Sequence, residues 1–266
     1  MSIRDVLRDP QILAMGGGGF TMEPDNPALD DFALTLVGRP EPRILFLPTA
    51  SGDPTAQITA FYARYARRAS ATHLSLFRRH GSARSLADIV LEQDIVYVGG
   101  GSMRNLLAIW RAHALDELLA EAWRRGIVLV GLSAGAMCWF AGGVTRSSGP
   151  LETIAGLGLL PGSFSVHADG EPERLPVWLA AVRSGELPGG WAADDGVGLL
   201  FRGTRMVRVV SSRPGAAALR ADAVGAELVR HRIEPELLGA APGRLAERPV
   251  PDAIRELREL RRAMRR

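Results

Sequence analysis

The chain has 266 residues, 47% hydrophobic and 23% charged, the balance of an ordinary globular protein rather than a disordered one. A core of this size needs no staple, and the single cysteine, Cys138, excludes an intramolecular disulfide framework and any multi-cysteine metal site. All 32 basic residues are arginine; six of them, with two glutamates, fall in the last 13 residues, so the rest of the chain is about neutral and shows no basic, aromatic-studded groove for nucleic acid. No apolar run reaches the roughly 20 residues of a membrane span. The opening MSIRDVLRDPQILAMGGGGF does not read as a secretory signal, and a cytoplasmic protein is expected.

In chain order, four short apolar runs stand out: QILAM (11–15), RILFLPT (43–49), IVYVGG (95–100) and IVLVGLS (127–133). Lacking polar alternation, they read as buried strands of a mostly parallel sheet. Between them, 55–70 and 103–125 place apolar residues three and four apart, as helices do. This rhythm predicts an α/β fold, a three-layer α/β/α doubly wound arrangement with right-handed crossovers. From about residue 190 the chain turns β-branched and glycine-punctuated (WAADDGVGLLFRG, TRMVRVVSS, ALRADAVGAELVRHRI), which predicts antiparallel strands at a sheet edge. One α/β domain is expected over 1–237, followed over 238–266 by a Pro/Gly-rich linker and a basic helix.

The sharpest chemical signal is Gly131-Leu132-Ser133-Ala134-Gly135, between the run IVLV and the helix-compatible AMCWFAG. A G-x-S-x-G segment at a strand-to-helix turn strains the serine backbone and lifts its hydroxyl to the carboxyl edge of the sheet. The flanking glycines remove side chains that would collide with neighbouring strands, and the helix start directs N–H groups at the same point. Against this stands an incidental turn in a chain with 30 glycines.

A serine needs a base. His73 and His80 flank an expected strand, His113 lies in a helical stretch and His231 in the late β region, so each reads as structural or surface. His167, in GSFSVHADGE, follows the serine at a polar loop and is the favoured base. An oxyanion hole would combine the N–H of Ala134 with one from Gly100 or Gly101, at the end of IVYV. The run Gly16 to Gly19 lacks the spacing of a dinucleotide fingerprint, and neither cofactor nor metal is expected.

Six segments, AMGGGGF (14–20), FLPTASGD (46–53), YVGGGSMRNLLAIWR (97–111), GLSAGAMCWFAGG (131–143), GLLPGSFSVHADGEPERLP (158–176) and WAADDGVGLLF (191–201), together resemble peptidase family S51, that of dipeptidase E and cyanophycinase. The resemblance implies a fold similar to class I glutamine amidotransferases, with serine at the elbow where those enzymes carry cysteine. It also implies Ser133 as nucleophile, His167 as base, and Gly100 with Ala134 around the oxyanion. Cys138, five residues past the elbow serine, reads as core.

The chain departs from the family at the third triad member. Many dipeptidase-E-like sequences carry T-D-S-F-G-P, whereas here Thr145-Arg146-Ser147-Ser148-Gly149-Pro150 puts a fixed cation where the acid would sit. Glu152, near the position of a glutamate in cyanophycinase-like members, is chosen as the orienting acid. Asp169 is the runner-up, and Asp194 and Asp195 remain open through space. The family's Asp-first dipeptides would need a cation, and Arg174 resembles a family position near the pocket; Glu171 or Glu173 would suit a substrate ammonium. The function expected is a serine peptidase of short peptides, dipeptides with N-terminal Asp among them. Its rivals are an esterase or amidase of small acyl substrates and a catalytically silent small-molecule binder, the latter motivated by Arg146. The expected partner is a small peptide, with a homodimer left open, and neither nucleic acid nor a membrane.

Overall fold

The computed structural model of the protein describes residues 9–77, 84–225 and 227–239; His80 and the basic tail over 240–266 lie outside them. Five parallel strands form the centre: β1 (Gln11–Met15), β2 (Arg43–Leu47), β3 (Ser70–His73), β4 (Ile95–Val98) and β5 (Val128–Leu132), side by side in the order β1-β5-β4-β2-β3. Successive side chains of a strand point to opposite faces, and both faces here are apolar. Leu13 and Met15 of β1, with Phe46 and Tyr97, pack under α1 (Gly19–Met22), α2 (Ala28–Thr35) and α3 (Thr55–Tyr65). Ile12, Ala14, Leu45 and Val98 face the other way, toward α4 (Leu86–Leu91), α5 (Met103–Ala112) and α6 (Leu115–Arg124). The result is a three-layer α/β/α fold.

The stretch 103–125, read as one helix, is two. Ala114 adopts φ 51°, a left-handed conformation that ends α5 and restarts the chain as α6. The break folds the second half back, so that Leu115 and Leu119 bury in the same core as Leu106 and Trp110. The helix expected after the elbow is also shorter than the sequence suggested. A single turn, α7 (Ala134–Met137), gives way to β6 (Phe140–Thr145), because Trp139 and Phe140 are needed in the core between the sheets.

The sequence reading did not include a second sheet. After β6 the chain builds β7 (Glu152–Ala155), β8 (Leu160–Ser165), α8 (Arg174–Ser184) and β9 (Gly190–Ala193) before returning to the first sheet. There β10 (Val197–Arg202) runs antiparallel to β1, and β11 (Arg205–Ser211) antiparallel to β10. Strands β12 (Ala218–Val224) and β13 (Glu227–Ile233) complete a six-stranded second sheet in the order β13-β12-β9-β8-β6-β7. A short β14 (Glu236–Leu237) closes on β11. The pairings β10–β11, β9–β12 and β12–β13 are antiparallel as expected, whereas β9 runs parallel to β8 and β14 parallel to β11, and β12 and β13 extend this second sheet rather than the edge of the first. No helix among the described residues is long and apolar enough to cross a membrane.

Candidate active site

Strands β10, β1, β5 and β4 are neighbours, so the segments that follow β1, β5 and β4 and precede β10 meet at one rim. In parallel sheets the carboxyl edge is where ligands bind. Ser133 stands at the end of β5 with φ 53° and ψ −116°, a conformation that costs a non-glycine residue about 1–3 kcal/mol. Its neighbours hold it there. The Ser133 N–H donates to Met15 O at 3.1 Å, and Ser133 O accepts from the N–H groups of Ala136 and Met137, each at 2.9 Å. The flanking glycines are required by close approach: a Cβ on Gly131 would lie 2.1 Å from Gly135 O, and one on Gly135 would lie 2.5 Å from Val98 O.

His167 arrives from the second sheet, two residues past β8, and it too has positive φ, 53°. Its N–H donates to Gly16 O at 3.2 Å, which ties this loop to the end of β1. Its Nε2 lies 2.9 Å from Ser133 Oγ, and its Nδ1 lies 2.5 Å from Asp195 Oδ1. An ionised carboxylate only accepts, so Nδ1 carries the proton and Nε2 presents its lone pair to the serine hydroxyl. The His167 and Asp195 side chains are 13% and 14% exposed, which protects the pair from competing water.

Asp195 sits on the turn that crosses from β9 to β10. Its N–H donates to Asp169 Oδ1 at 2.7 Å, and the next residue, Gly196, donates its N–H to Gly17 O at 3.2 Å. Asp194 shapes the turn from the other side. Its Oδ2 accepts from the Ala217 N–H at 2.8 Å, and burial pushes its carboxyl above the usual value. Of the carboxylates weighed from sequence, Asp195 meets the imidazole, Asp169 accepts from the Asp195 N–H, and Asp194 ties the turn to Ala217.

Glu152, chosen from sequence as the orienting acid, is not at the imidazole. It lies on β7, an edge strand of the second sheet, and accepts from Arg104 Nη2 at 2.7 Å. Hydrogen bonds from Arg104 and Ser148 hold its carboxyl below the usual value. Sequence distance from the serine misled here, because β7 turns the chain away from the rim. Arg174 is likewise not a cleft residue. Its side chain is only 6% exposed, and the guanidinium is consumed by Val144 O and by Glu171 Oε2. Arg146 bonds Glu173 and lies 3.9 Å from Glu171, while the two ring nitrogens of His167 meet Asp195 and Ser133.

The remaining candidates fall around the serine. Gly100 runs against it: a Cβ there would be 3.2 Å from Ser133 Cβ. Gly101 lines the same cleft at φ 140°, but its lack of a side chain answers to Ala50, whose O would lie 2.3 Å from a Cβ. Ala134 opens α7, where the first N–H groups have no intrahelical acceptor. Cys138 is buried, donates its thiol to Gly135 O, and burial pushes that thiol well above its usual value, so it is core.

Sequence reasoning passed over Gly17. A Cβ on it would lie 1.8 Å from Asp195 Oδ1 and 2.9 Å from His167 Nδ1, so the carboxylate–imidazole contact needs glycine at this position. The available signal was the pairing of two turns: a glycine run ending one strand and D-D-G opening another become neighbours once β1 and β10 pair antiparallel. The cleft in front of Ser133 has a volume of about 520 Å³, within the range of small-molecule sites.

Residues 12–209 match the family described as Peptidase family S51. The chain is similar, at 49% identity over 211 residues, to the "Uncharacterized peptidase YgaJ" of Bacillus subtilis (strain 168), spanning 79% of this chain and 91% of that one. Its fold is similar to a peptidase from an acI-B1 Actinobacterium, with TM-score 0.65 at 18% identity over 86% of this chain and 96% of that one. A putative peptidase E protein from Listeria monocytogenes EGD-e aligns with TM-score 0.53 at 17% identity, over 76% and 98%.

Proposed function

The chain belongs to peptidase family S51, and on that premise we propose that it is a serine peptidase that cleaves short peptides through an acyl-enzyme. The observation that carries this reading is the continuous line Asp195 Oδ1 to His167 Nδ1 at 2.5 Å and His167 Nε2 to Ser133 Oγ at 2.9 Å. In the first half-reaction His167 Nε2 takes the Ser133 proton as Oγ attacks the scissile carbonyl carbon. Backbone N–H groups of Ala134 and Gly100 face the oxygen that gains charge. Asp195 stabilises the imidazolium, which returns the proton to the departing amine as the C–N bond breaks. Water, deprotonated by the same imidazole, then attacks the Ser133 ester; the acyl C–Oγ bond breaks, the imidazolium returns the proton to Ser133 Oγ, and the acid product leaves. Asp195 supplies the carboxylate that Arg146 cannot, which removes the sequence-based motive for a silent binder.

The test is labelling by a fluorophosphonate together with hydrolysis of a dipeptide panel. The reading expects one label on Ser133, loss of both label and turnover in Ser133→Ala, and cleavage of unmodified peptides by the parent. Short acyl esters cleaved with every peptide left intact would move the protein to the esterases; a parent that neither labels nor turns over would end the proposal.

A further inference from the structure

The departing half of a cleaved peptide leaves beside the base. The imidazolium hands its proton to the scissile nitrogen, so the residue that follows this nitrogen lies on the His167 side of Ser133. In the sheet that is the β1 side. There the His167 N–H is tied to Gly16 O and Gly17 runs against the Asp195 carboxylate, whereas Gly100 and Gly101 follow β4, across β5 from β1. The wall on the β1 side continues into α1, whose Thr21 and Met22 line the cleft.

Met22 is the unusual member of that wall. It is 43% exposed, and the other large apolar side chains exposed among the described residues, Phe77, Val224 and Leu237, do not line the cleft. Leu132, the other large apolar residue in the lining, is 2% exposed and offers almost no surface. Met22 is nonetheless held: the Gly18 N–H donates to its Sδ at 3.3 Å. The turn that carries it is pinned from below. Phe20 is buried among the rings of Phe46, Phe61, Tyr65 and Tyr97, and Arg64 Nη2 donates to Glu23 O at 3.2 Å and to Pro24 O at 2.7 Å. Two residues on from Phe20, about 200° round a helical turn, Met22 is thereby turned away from the core.

We infer that Met22 is the binding surface for the side chain of the residue just after the scissile bond, so that the protein prefers peptides whose leaving residue is large and apolar. The inference rests on the serine-peptidase reading above. A thioether on an unbranched stem is polarisable and adaptable, so it packs against leucine, methionine or phenylalanine without selecting one shape. Contact removes apolar surface of both side chains from water. The gain is felt in acylation, while the leaving residue is still attached, and is gone once that residue has departed.

The experiment measures kcat/KM for release of the second residue from Ala-Leu amide, Ala-Gly amide and Leu-Gly amide. The parent is expected to favour Ala-Leu amide over Ala-Gly amide by about 10-fold or more, the discrimination an apolar contact supplies. In Met22→Ala that ratio is expected to fall to near one, whereas Met22→Leu, which keeps an apolar surface, stays near the parent value. The ratio of Leu-Gly amide to Ala-Gly amide, which varies only the first residue, is expected to match the parent in both variants. These are ratios within one preparation, so a poorly folding variant does not obscure them. A parent ratio near one, an unchanged Ala-Leu to Ala-Gly ratio in Met22→Ala, or a change in the first-residue ratio instead would overturn the inference. Fluorophosphonate labelling of the parent at Ser133 alongside any of these results would leave the serine-peptidase reading standing, whereas an unlabelled, inactive parent would remove both.

Discussion

Replacing Asp195 by asparagine separates the arrangement in the structure from the one the sequence favoured. The side chains are nearly isosteric, and the site at 2.5 Å from His167 Nδ1 keeps its shape. What changes is the charge and the donor pattern. An amide that donates to Nδ1 drives the ring proton to Nε2, where it faces the Ser133 hydroxyl and the ring can no longer act as a base; an amide that accepts leaves the imidazolium without its counter-charge. In triads of this kind the loss is on the order of 10⁴ in kcat, about 5.5 kcal/mol of barrier. Glu152→Gln provides the contrast, since its carboxylate pairs with Arg104 on an exposed edge strand and should change kcat/KM by less than about twofold. The assay is kcat/KM on one short peptide amide for parent and both variants, with thermal melts to show that each is folded. Asp195→Asn within tenfold of the parent, or a hundredfold loss in Glu152→Gln, would refute the reasoning.

Gly17→Ala should lower kcat/KM by at least about 100-fold, because its Cβ would lie 1.8 Å from Asp195 Oδ1 and force the carboxylate off the imidazole; a fully active, folded variant would show that the contact is dispensable. Asp30 is buried beside Arg64 and Tyr65, and burial pushes its carboxyl up to about 6 from 3.8. Its folded value exceeds the unfolded one, so its stabilising contribution is complete below about pH 4 and is lost as pH rises through about 6. Denaturant titrations should therefore find the stability of Asp30→Asn relative to the parent rising by about 2 kcal/mol between pH 4 and 7; a pH-independent difference would contradict this. Ala114→Gly should raise stability by about 1 kcal/mol by relieving φ 51°, with turnover unchanged, and a lower melting temperature would count against strain at that residue.

The central strands were legible because a parallel strand buried on both faces leaves an uninterrupted apolar run: QILAM is β1 residue for residue. The serine elbow was legible for a local reason, since strand, glycine, serine and glycine are consecutive. The second sheet was not, because Phe140 to Thr145 continues an apolar stretch that periodicity reads equally well as helix. The break at Ala114 leaves no mark in composition, as alanine is a strong helix former and only the packing of Leu115 and Leu119 overrides it. The carboxylate beside His167 was not singled out because the partner of that ring is fixed by a strand pairing. Asp195 lies 28 residues past the histidine, and only the antiparallel return of β10 beside β1 brings it to the rim. Glu152 and Arg174 were attractive by sequence position, yet each is occupied by an ion pair that no spacing rule reveals.

Acid-quenching a reaction with a short peptide ester during its first turnovers, followed by peptide mapping in the mass spectrometer, looks directly for the covalent intermediate. The account predicts the mass of the substrate's acyl group on the peptide that contains Ser133, absent in Ser133→Ala and accumulating far more slowly in Asp195→Asn. An acyl group on any other residue, or rapid turnover with no modified serine at any quench time, would contradict it.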